Sequence, residues 1–245
     1  MKYSGVVSGV FHHRVFITES DADAMFYGAI LDLPAVHGDV APDVLFVQAG
    51  GKHRMGALAG ALRSLDVTVD IIADIDVLND EITFRRLVEA LGGDWASAGS
   101  DAVPLKKAIE QHKPWLNSAE VVNGVSGILS KAPQSGEFPR NLKGEIDAIF
   151  RKASPWDAIK EAGAAAVPAG QATVHWTSLL AYCSSIGLWI VPVGELEGFC
   201  KTVGGHGPKW TQRVLETYDL PSAPELGESL IQKFTSRCNI LRCAS

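Results

Sequence analysis

The sequence predicts an α/β fold: a parallel sheet flanked by helices, with a helical module inserted before the last strand. Three observations predict it. Between Arg14 and Gly93, short runs rich in β-branched residues alternate with amphipathic helical runs, the pattern of βαβ units around a parallel sheet. From about Trp95 to Gln171 strong strand signals stop and helical patterns follow one another. A further apolar run, "GLWIVPVGELEGF", then returns to a buried strand.

The elements follow in order. "RVFITES" (Arg14 to Ser20) reads as the first buried strand. "DADAMFYGAILDLPA" follows as a helix, with Ala22, Met25, Phe26, Ala29, Ile30 and Leu33 on one face. "PDVLFVQAGGKHR" holds the second strand and a glycine turn, and "MGALAGALRSLDV" the second helix. "VTVDIIAD" is the third strand, and "EITFRRLVEALGG" the third helix, closed by Gly92 or Gly93. In the inserted module, "PLKKAIEQH", "SAEVVNGVSGILSKA", "NLKGEIDAIFRKA" and "SPWDAIKEAGAAA" read as helices, the last starting at Ser154 as cap and Pro155 at its first position. "TVHWTSLLAYCSSIG" is one more helix, and "ELGESLIQKFTSR" is expected as a helix in the tail. Trp95, Trp115, Trp156 and Trp176 are expected to pack the module.

Composition sets limits. A chain of 245 residues, 47% hydrophobic and 20% charged, can bury a sizeable core without disulfides or structural metals. The formal net charge of −6 argues against nucleic-acid binding by overall charge, so such a role needs local basic patches or another chain. Cys183, Cys200, Cys238 and Cys243 form no C-x-x-C pair and have no histidine at zinc-motif spacing, so a reducing, cytoplasmic location is expected. The N-terminal "MKYSGVVSGVFHH" has no signal-peptide pattern, and "LLAYCSSIGLWIVPV" is broken by two serines, Gly187 and Pro192, so no membrane span is expected.

The acids point to chemistry. The first strand ends in Glu19, with Asp21 and Asp23 just after it; the third ends in Asp74 and Asp76; the last ends in Glu195 and Glu197. In an open parallel sheet the carboxyl ends of the strands form the ligand crevice. Carboxylates crowded there repel one another and raise each other's pKa. A hard cation removes that cost, and Mg²⁺ favours carboxylate and water oxygens. Two cations would suit phosphodiester hydrolysis, one activating water and one stabilising a leaving oxygen. Structural readings stand beside this. Asp23 lies where a capping box would place it after Ser20. Asp80 reads as a helix N-terminal acid. Glu195 and Glu197 also fit solvated loop acids. In "AGGKHRMG", Gly50 and Gly51 would let Lys52 or Arg54 meet a phosphate or a DNA backbone, or simply close a β–α turn. His12 and His13 read as surface residues, and His206 as a loop residue outside the site.

The blocks "ITESDADAMFYGAILD", "LFVQAGGKHRM", "IIADIDVLNDE", "VEALGGDW" and "VPVGELEGF", in this order, resemble the Toprim (topoisomerase–primase) catalytic region of class 2 OLD (overcoming lysogenization defect) family nucleases. The resemblance spans about Phe11 to Trp210. It implies a Toprim-like sheet in two parts, residues 11–94 and 181–220, an inserted helical module at 95–180, and a C-terminal helix and tail at 221–245. It implies a DNA endonuclease using two Mg²⁺ or Mn²⁺ ions. Glu19, Asp23, Asp74, Asp76, Glu195 and Glu197 would be the metal ligands. Glu19, Asp74, Asp76 and Lys209 would be the catalytic set, with Lys201 as the rival lysine beside the cleaved phosphate. Full-length members of the family carry an N-terminal ATPase, and the resemblance implies a homodimer as an option for the full-length protein. This chain has no G-x-x-x-x-G-K-[ST], so it is expected to be an isolated catalytic region or a stand-alone relative. A non-catalytic Toprim-like module that binds nucleic acid or a partner, and an RNA-cleaving Toprim nuclease, are the alternatives. A haloacid-dehalogenase-type phosphatase fits poorly, because D-x-D here closes the third strand rather than the first.

Overall fold

The four runs expected as strands form one sheet. A computed structural model of the chain describes residues 7–32, 43–112, 117–151 and 154–217. Strands β1 (Arg14–Thr18), β2 (Val44–Gln48), β3 (Val69–Ala73) and β4 (Leu188–Ile190) pair in the order β2-β1-β3-β4, every pair parallel. Among the described residues nine α-helices flank this sheet. Helix α1 (Asp21–Leu31) joins β1 to β2, and α2 (Lys52–Arg63) carries the chain over β1 to β3. After β3 come α3 (Glu81–Ala90), α4 (Trp95–Gln111), α5 (Ser118–Leu129), α6 (Arg140–Arg151), α7 (Pro155–Ala162) and α8 (Gln171–Ile186). Helix α9 (Pro208–Thr217) follows β4.

Because strand side chains alternate, each strand feeds two cores. Val15, Ile17, Ile71, Ala73 and Ile190 face a core shared with α2, α3, α4 and α8. Phe16, Ile72 and Trp189 face a second core with α1 and α9, where Phe26, Phe199 and the fully buried Trp210 cluster. Register places Phe16 beside Phe46, and their rings stack at 5.2 Å. A sheet covered on both faces explains why the strands read as almost continuous apolar runs. One charged pair is an exception: Arg14 of β1 binds buried Asp70 of β3.

The inserted segment divides in two. Ala102, Leu105 and Ile109 of α4 and Trp176, Leu179 and Cys183 of α8 belong to the same core as β1 and β3. The α5–α6 hairpin is mostly solvated, with Val122 and Phe150 exposed. Two elements depart from expectation. Helix α4 begins at Trp95 rather than Pro104, because Asp94 accepts the N–H groups of Ala96 and Ser97 and so caps it nine residues earlier. Pro104 sits inside it at the cost of one backbone hydrogen bond. Helix α9 was not expected; Trp210 and Val214, one turn apart, bury its inner face. Trp95, Trp156 and Trp176 pack on the first core. Trp115 and the expected tail helix lie outside the described residues. Among the described residues no helix is long and apolar enough to cross a membrane.

Candidate functional site

Local backbone chemistry brings the acids to one edge of the sheet. Strand β1 stops at Thr18 because Ser20 turns the chain into α1. Ser20 Oγ accepts the Asp23 N–H, and Asp23 Oδ2 accepts the Ser20 N–H at 2.8 Å and its hydroxyl at 2.9 Å. The expected capping role of Asp23 is therefore present, and it engages one of the two carboxylate oxygens. The same turn leaves Glu19 at the strand end, where its carbonyl accepts the N–H groups of Gly50 (3.1 Å) and Gly51 (3.0 Å). Both glycines have positive φ, which a side chain would resist. This bond anchors the β2–α2 turn onto the end of β1 and delivers Lys52 to the site.

Strand β3 ends at Ala73, so Asp74 and Asp76 leave the sheet together, Asp76 within a short 3-10 turn. Lys52 Nζ donates to Asp76 Oδ2 at 3.0 Å, and Lys160 Nζ of α7 lies 3.6 Å from the same oxygen. Asp80, by contrast, accepts the Thr83 N–H and hydroxyl and caps α3, as expected for a helix N-terminal acid.

Beyond β4, Glu195 and Glu197 enter from a loop whose Gly194 carbonyl accepts the Ile75 N–H at 3.1 Å. Glu197 Oε1 accepts the Gly207 N–H at 2.7 Å, which folds the glycine-rich loop back over the strand end. His206 Nδ1 then lies 3.7 Å from Glu197 and 4.0 Å from Glu195. Ligand atoms of Glu195, Glu197 and His206 all fall within 4.8 Å of one another. His206, read from the sequence as a bystander, thus stands with the acids.

Glu19, Asp23, Asp74 and Glu197, drawn from three strand ends, line one pocket of about 180 Å³. Its carboxylates are compensated only in part, by the charges of Lys52 and Lys160. Burial, then the charges of Asp23, Glu19 and Asp76, push the Asp74 carboxyl well above its ordinary range. Burial and Asp76 raise Glu19, although Lys52 opposes them. Burial raises Asp23 against its Ser20 hydrogen bonds. Beneath them the Tyr27 hydroxyl is held in its neutral form by burial and by Asp23, Asp74 and Glu197. No side chain among the described residues donates a hydrogen bond to Asp74.

The basic residues separate. Lys52 is committed to Asp76, and Lys201 to the carbonyl of Glu161 at 3.1 Å. Arg54 and Lys209 are exposed and make no side-chain hydrogen bond or ion pair among the described residues. Lys160 passed unnoticed in the sequence because nothing in its helix sets it apart from other solvated lysines. No protein-family model, curated protein or solved structure matches the chain.

Proposed function

We propose that the chain is a Mg²⁺- or Mn²⁺-dependent DNA endonuclease, the Toprim-type catalytic region of an OLD-family nuclease, working with two cations. One observation carries the reading: Glu19, Asp23, Asp74 and Glu197 meet at one pocket with Asp74 half-buried and lacking a donor. A half-buried carboxylate crowded by other carboxylates is costly, and hard oxygen donors in this number suit a divalent cation. Among the described residues only Glu195, Glu197 and His206 bring their ligand atoms within 4.8 Å of one another and fit a cation as they stand; Glu19, Asp23 and Asp74 share the neighbouring pocket. Glu19, Asp74 and Asp76, with the second oxygen of Asp23, would hold one ion. Glu195 and Glu197, with His206, would hold the other. When bound, such ions acidify water and neutralise charge on a departing oxygen.

Phosphodiester hydrolysis joins a water oxygen to phosphorus and breaks one P–O ester bond. The water gives up a proton and the departing sugar oxygen gains one, leaving a phosphate monoester and a free hydroxyl. The chain's own groups hold the reacting parts in place. Lys52 fixes the orientation of Asp76, the Ser20 cap fixes Asp23, and the Gly207 N–H fixes Glu197. Exposed Arg54 and Lys209 can meet the DNA backbone through its phosphates. The preference for DNA over RNA, the N-terminal ATPase and the homodimer rest on the family resemblance.

Supercoiled plasmid incubated with the protein and Mn²⁺ should be nicked or linearised, and Asp74→Ala should stop it. Saturable DNA binding without cleavage under either metal would instead identify a non-catalytic Toprim-like module.

A further inference from the structure

Lys160 belongs to the inserted segment, yet its side chain ends at the sheet edge. Helix α7 starts where Ser154 Oγ accepts the Asp157 N–H, with Pro155 at the first position. Near its other end, Lys160 Nζ lies 3.6 Å from Asp76 Oδ2 and 3.5 Å from Glu195 Oε2. It therefore stands between the acids that follow β3 and those that follow β4.

This placement is built into the backbone. A Cβ on Gly194 would fall 1.9 Å from the Lys160 carbonyl oxygen, and one on Gly163 would fall 2.2 Å from that of Pro192. Both glycines have positive φ, +103° and +61°. The Ala164 N–H donates to the Pro192 carbonyl at 2.7 Å. The end of α7 is thus pressed directly onto the loop that carries Glu195, and that loop is bonded through Gly194 to Ile75, between Asp74 and Asp76.

The cations near the site differ in what their donors are doing. Lys52 makes a direct bond to Asp76, and Lys201 binds a carbonyl. Lys160 is shared instead between two acids, ion-paired with Asp76 at 3.6 Å and with Glu195 at 3.5 Å, and an ammonium has three N–H donors to divide between them and a ligand. Its side chain is 37% exposed. It lines an open cavity of about 540 Å³ together with Lys201, His206 and the acids Asp157, Glu161, Glu195 and Glu197. Were the carboxylates to hold the cations proposed above, an ammonium beside them and facing open space would suit an anion that spans the ammonium and those cations.

We propose that Lys160, supplied by the inserted helical segment, is a phosphate-binding residue of this site, meeting a non-bridging oxygen of a phosphodiester in the 540 Å³ cavity. The inference rests on the nuclease reading and adds a residue from outside the sheet. It also gives the insertion a role: the α7 end completes the site.

The test measures binding of a labelled DNA duplex in Ca²⁺ across a range of salt, and plasmid cleavage in Mn²⁺, for the wild type, Lys160→Met and Lys160→Arg. Loss of one phosphate contact should lower the slope of log affinity against log salt by about one in Lys160→Met. It should lower kcat/KM by about 10²-fold. Lys160→Arg should recover the slope. If Lys160→Met loses its thermal transition, Lys160→Gln is measured with the same expectation. A folded neutral variant with the wild-type slope and rate overturns the role of Lys160 alone. A wild type that neither binds nor cleaves DNA overturns the nuclease reading and this role together.

Discussion

Lys52 Nζ donates to Asp76 Oδ2 at 3.0 Å, while Asp74, two residues earlier, receives no side-chain donor among the described residues. The two acids of one D-x-D motif thus differ in what the chain does for them. Asp76 is balanced from within by the turn that Glu19 anchors. Asp74 is left half-buried among Glu19, Asp23 and Asp76, opposed only by the more distant charge of Lys160, and its charge is the strongest demand the site makes for a cation.

That demand has a pH signature. The Asp74 pKa is raised above its ordinary 3.8, so the folded chain holds this proton more tightly than the unfolded chain. The associated stability is complete below the unfolded value and is lost as pH rises through the folded value. Glu19 and Asp23 shift in the same direction. In chelator at about pH 8, Asp74→Asn should therefore melt higher than the wild type, by about 2–4 °C for each kcal/mol relieved in a chain of this size. Mn²⁺ should raise the wild-type melting temperature more at about pH 8 than at about pH 5, because protons and cations compete for the same oxygens. It should do little for Asp74→Asn. Identical melting of the two proteins in chelator would mean that Asp74 carries no unmet charge.

Asp80 should behave oppositely. Hydrogen bonds from Thr83 lower its pKa, so its contribution is present above the ordinary 3.8 and lost as pH falls through the lower, folded value. Asp80→Ala should cost about 1 kcal/mol as a lost helix cap and leave the Mn²⁺-induced shift intact. A variant that lost the Mn²⁺ response would place Asp80 in the metal centre.

The glycine contacts at α7 are separable from glycine strain in general. Gly194→Ala must fit a Cβ 1.9 Å from the Lys160 carbonyl at φ +103°, whereas Gly170→Ala, at φ +88°, meets nothing within 4 Å. Gly170→Ala should cost about 1 kcal/mol of backbone strain. Gly194→Ala should cost more than about 2 kcal/mol and should also weaken DNA binding, because α7 must withdraw. Equal unfolding midpoints in a urea titration of the two variants would remove the close approach from the picture.

Much of the fold was legible because burial on both faces writes strands as apolar runs: β1, β2, β3 and β4 all fall within the stretches expected. Glu19, Asp23, Asp74 and Glu197 were legible as strand-end or helix-start acids, and parallel pairing brings such ends together. What escaped reading depends on approach rather than pattern. Lys160 reaches Asp76 only because Gly163 and Gly194 let two backbones touch. His206 reaches Glu197 only because the Gly207 N–H binds that carboxylate. Helix α9 was masked by the glycines before it, although Pro208 at its start and Trp210 and Val214 on one face were there to be read. Nor does any local signal say that Lys52 would be spent on an acid of its own chain rather than left facing a ligand.

The most direct measurement is anomalous scattering from Mn²⁺ in crystals of the whole chain. Ordered manganese is expected against the carboxylates of Glu19 and Asp74, with a second ion against Glu195 and Glu197. A saturating soak that leaves those carboxylates bare, with Asp74 refined as a neutral acid and Lys160 still between Asp76 and Glu195, would contradict the metal centre and the nuclease built on it.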